Sequence, residues 1–262
     1  MSLISKFYKT LPILGLATLS VLSSMSISSC SDKDPTDYVG NANGTDWKGY
    51  ISGTLEIEFS ESMHCCSIKN ADTYVAHNLY IPKEVKLGEE KYVLTRIGGA
   101  AFEDPNSGNN QLISGKLFFP EKCTEIGVQA FIKCIELTDV DLFNVENIDI
   151  GAFGGCVKIT SINLNGQKFN HDKALGNNCF SNCTNLSSIS LFKSIKNIGS
   201  YCFLNIKDSC ILSLNDLTQG QSSCGYQIQA ITTWWNNGNP ITSLILGDHT
   251  FQLNQITWTG KP

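Results

Sequence analysis

The chain predicts a β-dominated solenoid of the α/β class, a right-handed superhelix whose short strands are joined by turns and helical segments. Three observations point there. First, a phrase recurs at an aromatic anchor: Ile97-Gly98 leads to Ala101-Phe102, Ile126-Gly127 to Ala130-Phe131, and Ile198-Gly199 to Cys202-Phe203. Second, five anchors (Phe102, Phe131, Phe153, Phe180 and Phe203) each follow an aliphatic residue by five positions, namely Ile97, Ile126, Ile148, Leu175 and Ile198. Third, apolar pairs two residues apart follow the anchors: Val140/Leu142, Ile162/Leu164, Ile189/Leu191 and Leu212/Leu214. That spacing is a strand's. Self-similarity at such a period identifies a stack of coils in which no single coil buries its own apolar face.

Residues 49–78 read as an N-terminal cap, in which Ile51 to Phe59 alternates apolar and polar positions. Repeats occupy residues 79–247, opening on Leu79-Tyr80-Ile81-Pro82, which has the strand-and-proline form of Leu117-Phe118-Phe119-Pro120 without an anchor before it. The turn formers Asp104 to Asn110 make a surface insertion, and so does the polar stretch Asn165 to Lys173. Glycine after four of the five aliphatic positions suggests a tight bend there. A sixth, degenerate unit has Trp235 as anchor, then Ile241, Leu244 and Leu246. Residues 248–262 form a C-terminal cap, in which Phe251 to Trp258 covers the last strand as an exposed edge requires. Anchor spacings of 29, 22, 27, 23 and 32 residues describe a coil of about twenty-two with inserted loops, within the leucine-rich repeat range.

The repeat resembles the BspA-like leucine-rich repeat family of bacterial surface proteins. Its phrase is best preserved from Ile126 to Leu137 and again from Cys179 to Leu186. Phe143, Asn165, Phe192 and Asn215 stand where that family often has proline, and Asp149 replaces a glycine. The resemblance implies a leucine-rich repeat solenoid that adheres to host or neighbouring-cell proteins.

Lys6 and Lys9 precede an apolar run from Leu11 to Leu22, and Ile27-Ser28-Ser29-Cys30 follows. Residues 1–29 read as a signal peptide. The last four residues resemble a bacterial lipoprotein processing site, which implies lipidation of Cys30, and residues 30–48 then form a flexible tether. The acidic tract after Cys30 resembles the surface-export signal of some Gram-negative lipoproteins. The expected place is therefore the outer membrane, lipid-anchored, on the cell surface. From Cys30 onward the chain loses two lysines and no acids, leaving 17 basic against 24 acidic residues and a formal charge of −7. Such a balance disfavours nucleic acid.

Eleven cysteines in an exported chain would ordinarily imply a disulfide framework. Here Cys134, Cys156 and Cys183 fall three residues after an anchor, and Cys179 and Cys202 fall just before one, so all five pack as small core groups. Parallel side chains on stacked coils approach poorly for a bridge. A Cys210–Cys224 bridge stays open. His64-Cys65-Cys66 offers three soft ligands without a fourth at a recognised spacing. His64, His77, His171 and His249 are the only candidate bases for a cysteine nucleophile, and no paired carboxylates, nucleophile elbow or phosphate loop accompanies them. No catalytic residue, metal or cofactor is expected.

What remains is the face the strands display. The residue between the two inward positions of each strand points outward, giving the file Tyr80, Phe118, Asp141, Asn163, Ser190, Ser213 and Ile245, with Asp139, Ser161 and Ser188 beside it. A ladder of Asp, Asn and Ser suits hydrogen bonding to a protein or a glycan, and it equally suits a solvated sheet. Tyr80 and Phe118 either meet a ligand or lie under the N-terminal segment. Trp234 is either an aromatic platform for sugar rings or part of the terminal packing. The sequence thus predicts non-catalytic recognition of an extracellular protein or glycan by a monomeric ectodomain; glycan binding and a purely structural envelope role are the alternatives.

Overall fold

The computed structural model describes residues 34–71, 74–103, 113–164, 173–192, 195–215, 243–246 and 248–258. All of these but Asp34 belong to one compact unit, Pro35–Pro262. Nineteen strands are described: β1 (Val39–Asn41), β2 (Lys48–Ser52), β3 (Glu56–Ser60), β4 (Cys65–Asn70), β5 (Val75–Tyr80), β6 (Glu84–Leu87), β7 (Glu90–Ile97), β8 (Ile113–Phe118), β9 (Glu125–Ile126), β10 (Leu137–Asp141), β11 (Asn147–Ile148), β12 (Ser161–Asn163), β13 (Lys173–Leu175), β14 (Ser188–Phe192), β15 (Ile195–Ile198), β16 (Ile211–Asn215), β17 (Ser243–Leu246), β18 (His249–Gln252) and β19 (Ile256–Trp258).

Each coil contributes a strand to two different ladders. The longer-stranded sheet runs β19-β16-β14-β12-β10-β8-β5-β2 and is parallel except for β2 at its edge. Its inward residues are in register from Leu79 to Leu117, Val140, Ile162, Ile189 and Leu212, and none is more than 2% exposed. The second sheet contains β7, β9, β11, β13 and β15, again parallel, and its register pairs Ile97 with Ile126, Ile148, Leu175 and Ile198 in turn. These are the aliphatic residues five positions before each anchor. The sequence therefore marks a second ladder, built from strands as short as two residues.

The anchors themselves fill the core. Phe102, Phe131, Phe153, Phe180 and Phe203 are fully buried and stack face to face, with centroids 4.9, 5.2, 5.5 and 5.9 Å apart along the file. Tyr74 continues this file from Phe102, and Trp47 packs edge-on against Tyr74. Tyr74 keeps its buried hydroxyl satisfied by donating to Gly44 O, and Trp47 Nε1 donates to Asn41 O.

The expected helical segments are a correction: among the described residues there is no α-helix, and one 3₁₀ turn, Leu253–Gln255, is the only helical element. The reason lies in where the peptide N–H groups go. Around each anchor they donate to the next coil, as in Phe102 N to Ala130 O, Phe131 N to Ala152 O, Phe153 N to Cys179 O and Phe180 N to Cys202 O, all between 2.8 and 2.9 Å. A backbone that satisfies its donors across coils has none left for an i to i−4 ladder. The turns repeat too. The residue two before each anchor is left-handed in every coil (Ala100, Gln129, Gly151, Asn178 and Tyr201), with φ between 54 and 63°.

The glycine of the repeated phrase serves a different purpose from the bend expected of it. Gly98, Gly127, Gly176 and Gly199 are not among the residues with positive φ. A Cβ on Gly127 would sit 2.7 Å from Gly99 N, one on Gly176 2.5 Å from Asp149 C, and one on Gly199 2.4 Å from Asn177 N. At Gly127, Gly176 and Gly199 glycine fits because adjacent coils touch backbone to backbone, whereas one coil accommodates a side chain in this slot. Asp149 takes the same slot and retains the same bond, donating to Ile126 O at 2.9 Å as Gly127 N does to Ile97 O.

The sixth unit departs from its expected place. β17 forms an antiparallel hairpin with β18, in which Ile245 pairs with Thr250, and β19 is the strand that extends the long sheet beyond β16. Ile245 is thus not a member of the outward file, and Thr257 holds the position next to Ser213.

Candidate binding face

The outward file is in register over six strands. Tyr80 pairs with Phe118, Phe118 with Asp141, Asp141 with Asn163, Asn163 with Ser190, and Ser190 with Ser213. None of the six is buried, whereas the residue before each of them is, because successive side chains of a strand leave opposite faces. Beside this file Ser161 pairs with Ser188, and Asp139 pairs with Lys116. Lys116 Nζ lies 3.4 Å from Asp139 Oδ2, with both side chains about half exposed.

The N-terminal segment extends this sheet as an edge strand. β2 runs antiparallel to β5, with Lys48 opposite Tyr80. Tyr38 braces the join, its hydroxyl donating to Tyr80 O and accepting from Lys48 N at 2.8 Å. Burial pushes the Tyr38 hydroxyl far above its ordinary pKa, so it remains a proton donor.

Tyr80 and Phe118 stack almost perfectly parallel, 4.4 Å between centroids and 2° between planes. Beyond Phe118 the file changes to the short side chains of Asp141 and Asn163, and a depression of about 360 Å³ opens over them. Its lining includes Phe118, Asp139, Asp141, Phe143, Ser161 and Asn163. Asp141 Oδ1 accepts the Phe143 N–H at 3.0 Å, which turns the chain at the end of β10 and brings the Phe143 ring to the rim, 40% exposed. Phe143 and Lys116 were not foreseen as part of this face. The signal available for Phe143 was an aromatic residue in a slot that the repeat usually gives to proline. A second, smaller depression of about 200 Å³ lies along the other sheet, where Gly127 and Gly176 leave space between Arg96, Glu125, Asn147 and Asp149.

The thiols occupy the core. Cys123, Cys134, Cys156, Cys179, Cys183, Cys202 and Cys210 are fully buried and free, and burial pushes the Cys156, Cys179 and Cys183 thiols well above the usual range. Cys156 Sγ donates to Phe131 O at 3.1 Å and Cys183 Sγ to Phe153 O at 3.3 Å. Cys179 and Cys202, on adjacent coils, bring their Sγ atoms to 3.2 Å and remain free, well outside the bond length of a disulfide. Cys65 and Cys66 are both free, and His64 lies 3.8 Å from Glu90. No group of three or more His, Cys, Asp or Glu side chains suited to a metal ion occurs among the described residues. Cys30, His171, Cys224 and Trp234 lie outside the described residues, as do the stretch 1–29 expected to be a signal peptide and residues 104–110, expected as an insertion.

A family model of the BspA type leucine rich repeat region matches residues 95–232 in six copies. The chain belongs to the BspA-type leucine-rich repeat family. The two ladders and the phenylalanine file are thus this chain's version of that repeat. Among solved structures, a T. pallidum leucine rich repeat protein is similar at 21% identity over 61% of this chain and 67% of its own, with a TM-score of 0.46. A leucine-rich repeat protein from Bacteroides ovatus matches at 19% identity over 68% of this chain and 57% of its own, TM-score 0.36. A leucine rich cell surface protein from Faecalibacterium prausnitzii matches at 17% identity over 64% of this chain and 55% of its own, TM-score 0.39. No curated protein matches the sequence.

Proposed function

We propose that the chain is a lipid-anchored, cell-surface recognition protein of the BspA type, whose repeats, a right-handed superhelix, bind an extracellular protein on the outward face of the long sheet without catalysis. The observation that carries this is the in-register file from Tyr80 to Ser213, whose aromatic end and polar middle meet at the depression beside Phe118. Repetition places six outward side chains in register at strand spacing, which lowers the ordering cost of binding an extended partner. The lysines and the apolar run before Ile27-Ser28-Ser29-Cys30 support export and lipidation at Cys30. The tether is shorter than the expected residues 30–48, because Val39–Asn41 pairs with β6 and Trp47 is buried in the core; the N-terminal cap therefore begins near Pro35 and, with the C-terminal cap at 248–262, bounds the repeats.

Two experiments test the reading. Protease shaving of intact cells, with a Cys30→Ala variant and a lysed control, is expected to release the repeats from intact cells; digestion only after lysis would place them inside the envelope and end the adhesion reading. The double variant Asn163→Arg/Ser190→Arg is expected to abolish cell or matrix adhesion while circular dichroism stays unchanged. Adhesion that survives it would move the contact surface off this sheet.

A further inference from the structure

We infer that the depression beside Phe118 is a receptor for an arginine side chain of the protein partner. This deepens the proposed function and rests on the outward file being the contact surface.

The geometry begins with the aromatic pair. Tyr80 and Phe118 are piled with parallel planes at 4.4 Å, close to the spacing of the strands that carry them. The next strand offers Asp141 in the same file, so the pile of rings stops at Phe118 and the depression starts on its far side. A planar group laid on that side continues the pile by one strand step, directly above the Asp141 carboxylate. Guanidinium is the side-chain group that is planar, stacks on aromatic faces and pairs with a carboxylate through a fork of N–H donors. The Phe143 ring at the rim gives its methylene stem an apolar wall.

Charge favours the same occupant. Asp139 and Asp141 both line the depression, and Lys116 compensates only one of them, through Asp139. Asp141 spends Oδ1 on the Phe143 N–H, and its second oxygen is the acceptor that distinguishes a cation from a neutral sugar. Ser161 and Asn163, next along the sheet, add polar contact for the main chain of the same segment.

The test uses the chain from Cys30 to Pro262, isotope-labelled and titrated by NMR with acetyl-Gly-Arg-Gly-amide, its citrulline counterpart, the lysine counterpart, and maltose. The arginine peptide should give saturable shifts confined to the backbone of Phe118, Asp141, Phe143, Ser161 and Asn163. Citrulline keeps the plane and loses the charge, and should bind at least about tenfold more weakly; lysine keeps the charge and loses the plane, and should also be weaker. Asp141→Asn retains the Oδ1 acceptor that holds the Phe143 turn, so the fold is kept while arginine binding drops at least about tenfold. Citrulline binding as well as arginine, binding that is indifferent to Asp141→Asn, maltose shifting the site while the arginine peptide does not, or no saturable shift with any peptide would each overturn the inference. Loss of the arginine site with adhesion still abolished by Asn163→Arg/Ser190→Arg would leave the proposed function standing; loss of both would remove the sheet face altogether.

Discussion

Replacing Gly176 with alanine tests the physical reason for the glycine seam. The added Cβ would lie 2.5 Å from both Asp149 C and Ile150 N, atoms of the preceding coil's backbone. An ordinary contact needs about 3.4 Å or more, so the two coils must part by nearly an ångström at this turn. No flexible side chain is available to absorb that movement. Overpacking of this kind costs typically 1–3 kcal/mol, and the displacement also stretches the 2.7 Å bond from Gly176 N to Ile148 O, whose net worth is about 1 kcal/mol. The expected loss is therefore about 3 kcal/mol, read as a lower urea midpoint with an unchanged slope. Gly151→Ala is the control: its φ is +63°, and its Cβ would meet only the Gln129 side chain at 3.2 Å. Alanine already occupies the equivalent position at Ala100, also left-handed, so this variant should lose only about 1 kcal/mol. If Gly176→Ala stayed within about 0.5 kcal/mol of the parent, coil-to-coil contact would not be what requires glycine.

Phe153→Ala empties the middle of the ring file, where Phe153 stacks on Phe131 at 5.2 Å and Phe180 at 5.5 Å, and should cost about 4 kcal/mol by denaturant titration; a loss under about 1.5 kcal/mol would mean that the coils collapse around the gap. Among the described cysteines a thiol reagent should modify partly buried Cys65 first, while Cys123, Cys156, Cys179 and Cys183 react only on unfolding, as peptide mapping would report; early labelling of Cys156 would contradict its full burial. Burial pushes the Cys66 and Cys210 thiols up to about 12. A pKa raised in the folded state gives stability that is complete below the unfolded value near 9 and is lost as pH climbs toward 12, so urea midpoints should fall across that interval and hold steady below it.

The anchors and the i, i+2 pairs were legible because a solenoid repeats one local environment, and each copy of the phrase reports the same burial. Five phenylalanines at fixed offsets from five aliphatic residues therefore located the core file, and strict alternation located the outward residues from Tyr80 to Ser213. The second ladder was harder to see. Strands such as Glu125–Ile126 and Asn147–Ile148 are too short to show alternation, and their hydrogen bonds go to residues about twenty to thirty positions away. Glycine in the phrase was visible, but bend and close approach leave the same letter in the sequence; only the distance from Gly176 to the Asp149 backbone separates them.

The C-terminal end shows the same limit. Leu244 and Leu246 carry the strand spacing, and a strand forms there, yet it folds back on β18 while β19 takes the sheet edge. Local pattern fixes whether a segment can be a strand, and competition among distant partners fixes which sheet it joins. So it is with the binding face. Sequence alone determined the repeat, the buried ring file and the alternation that sends Asp141 and Asn163 outward. Tertiary structure decided that the ring stack ends at Phe118 and that a cavity opens between its ring and that of Phe143, because which residue follows Phe118 in the file depends on register between strands more than twenty residues apart, whereas the bond from Phe143 N to Asp141 at the rim is local.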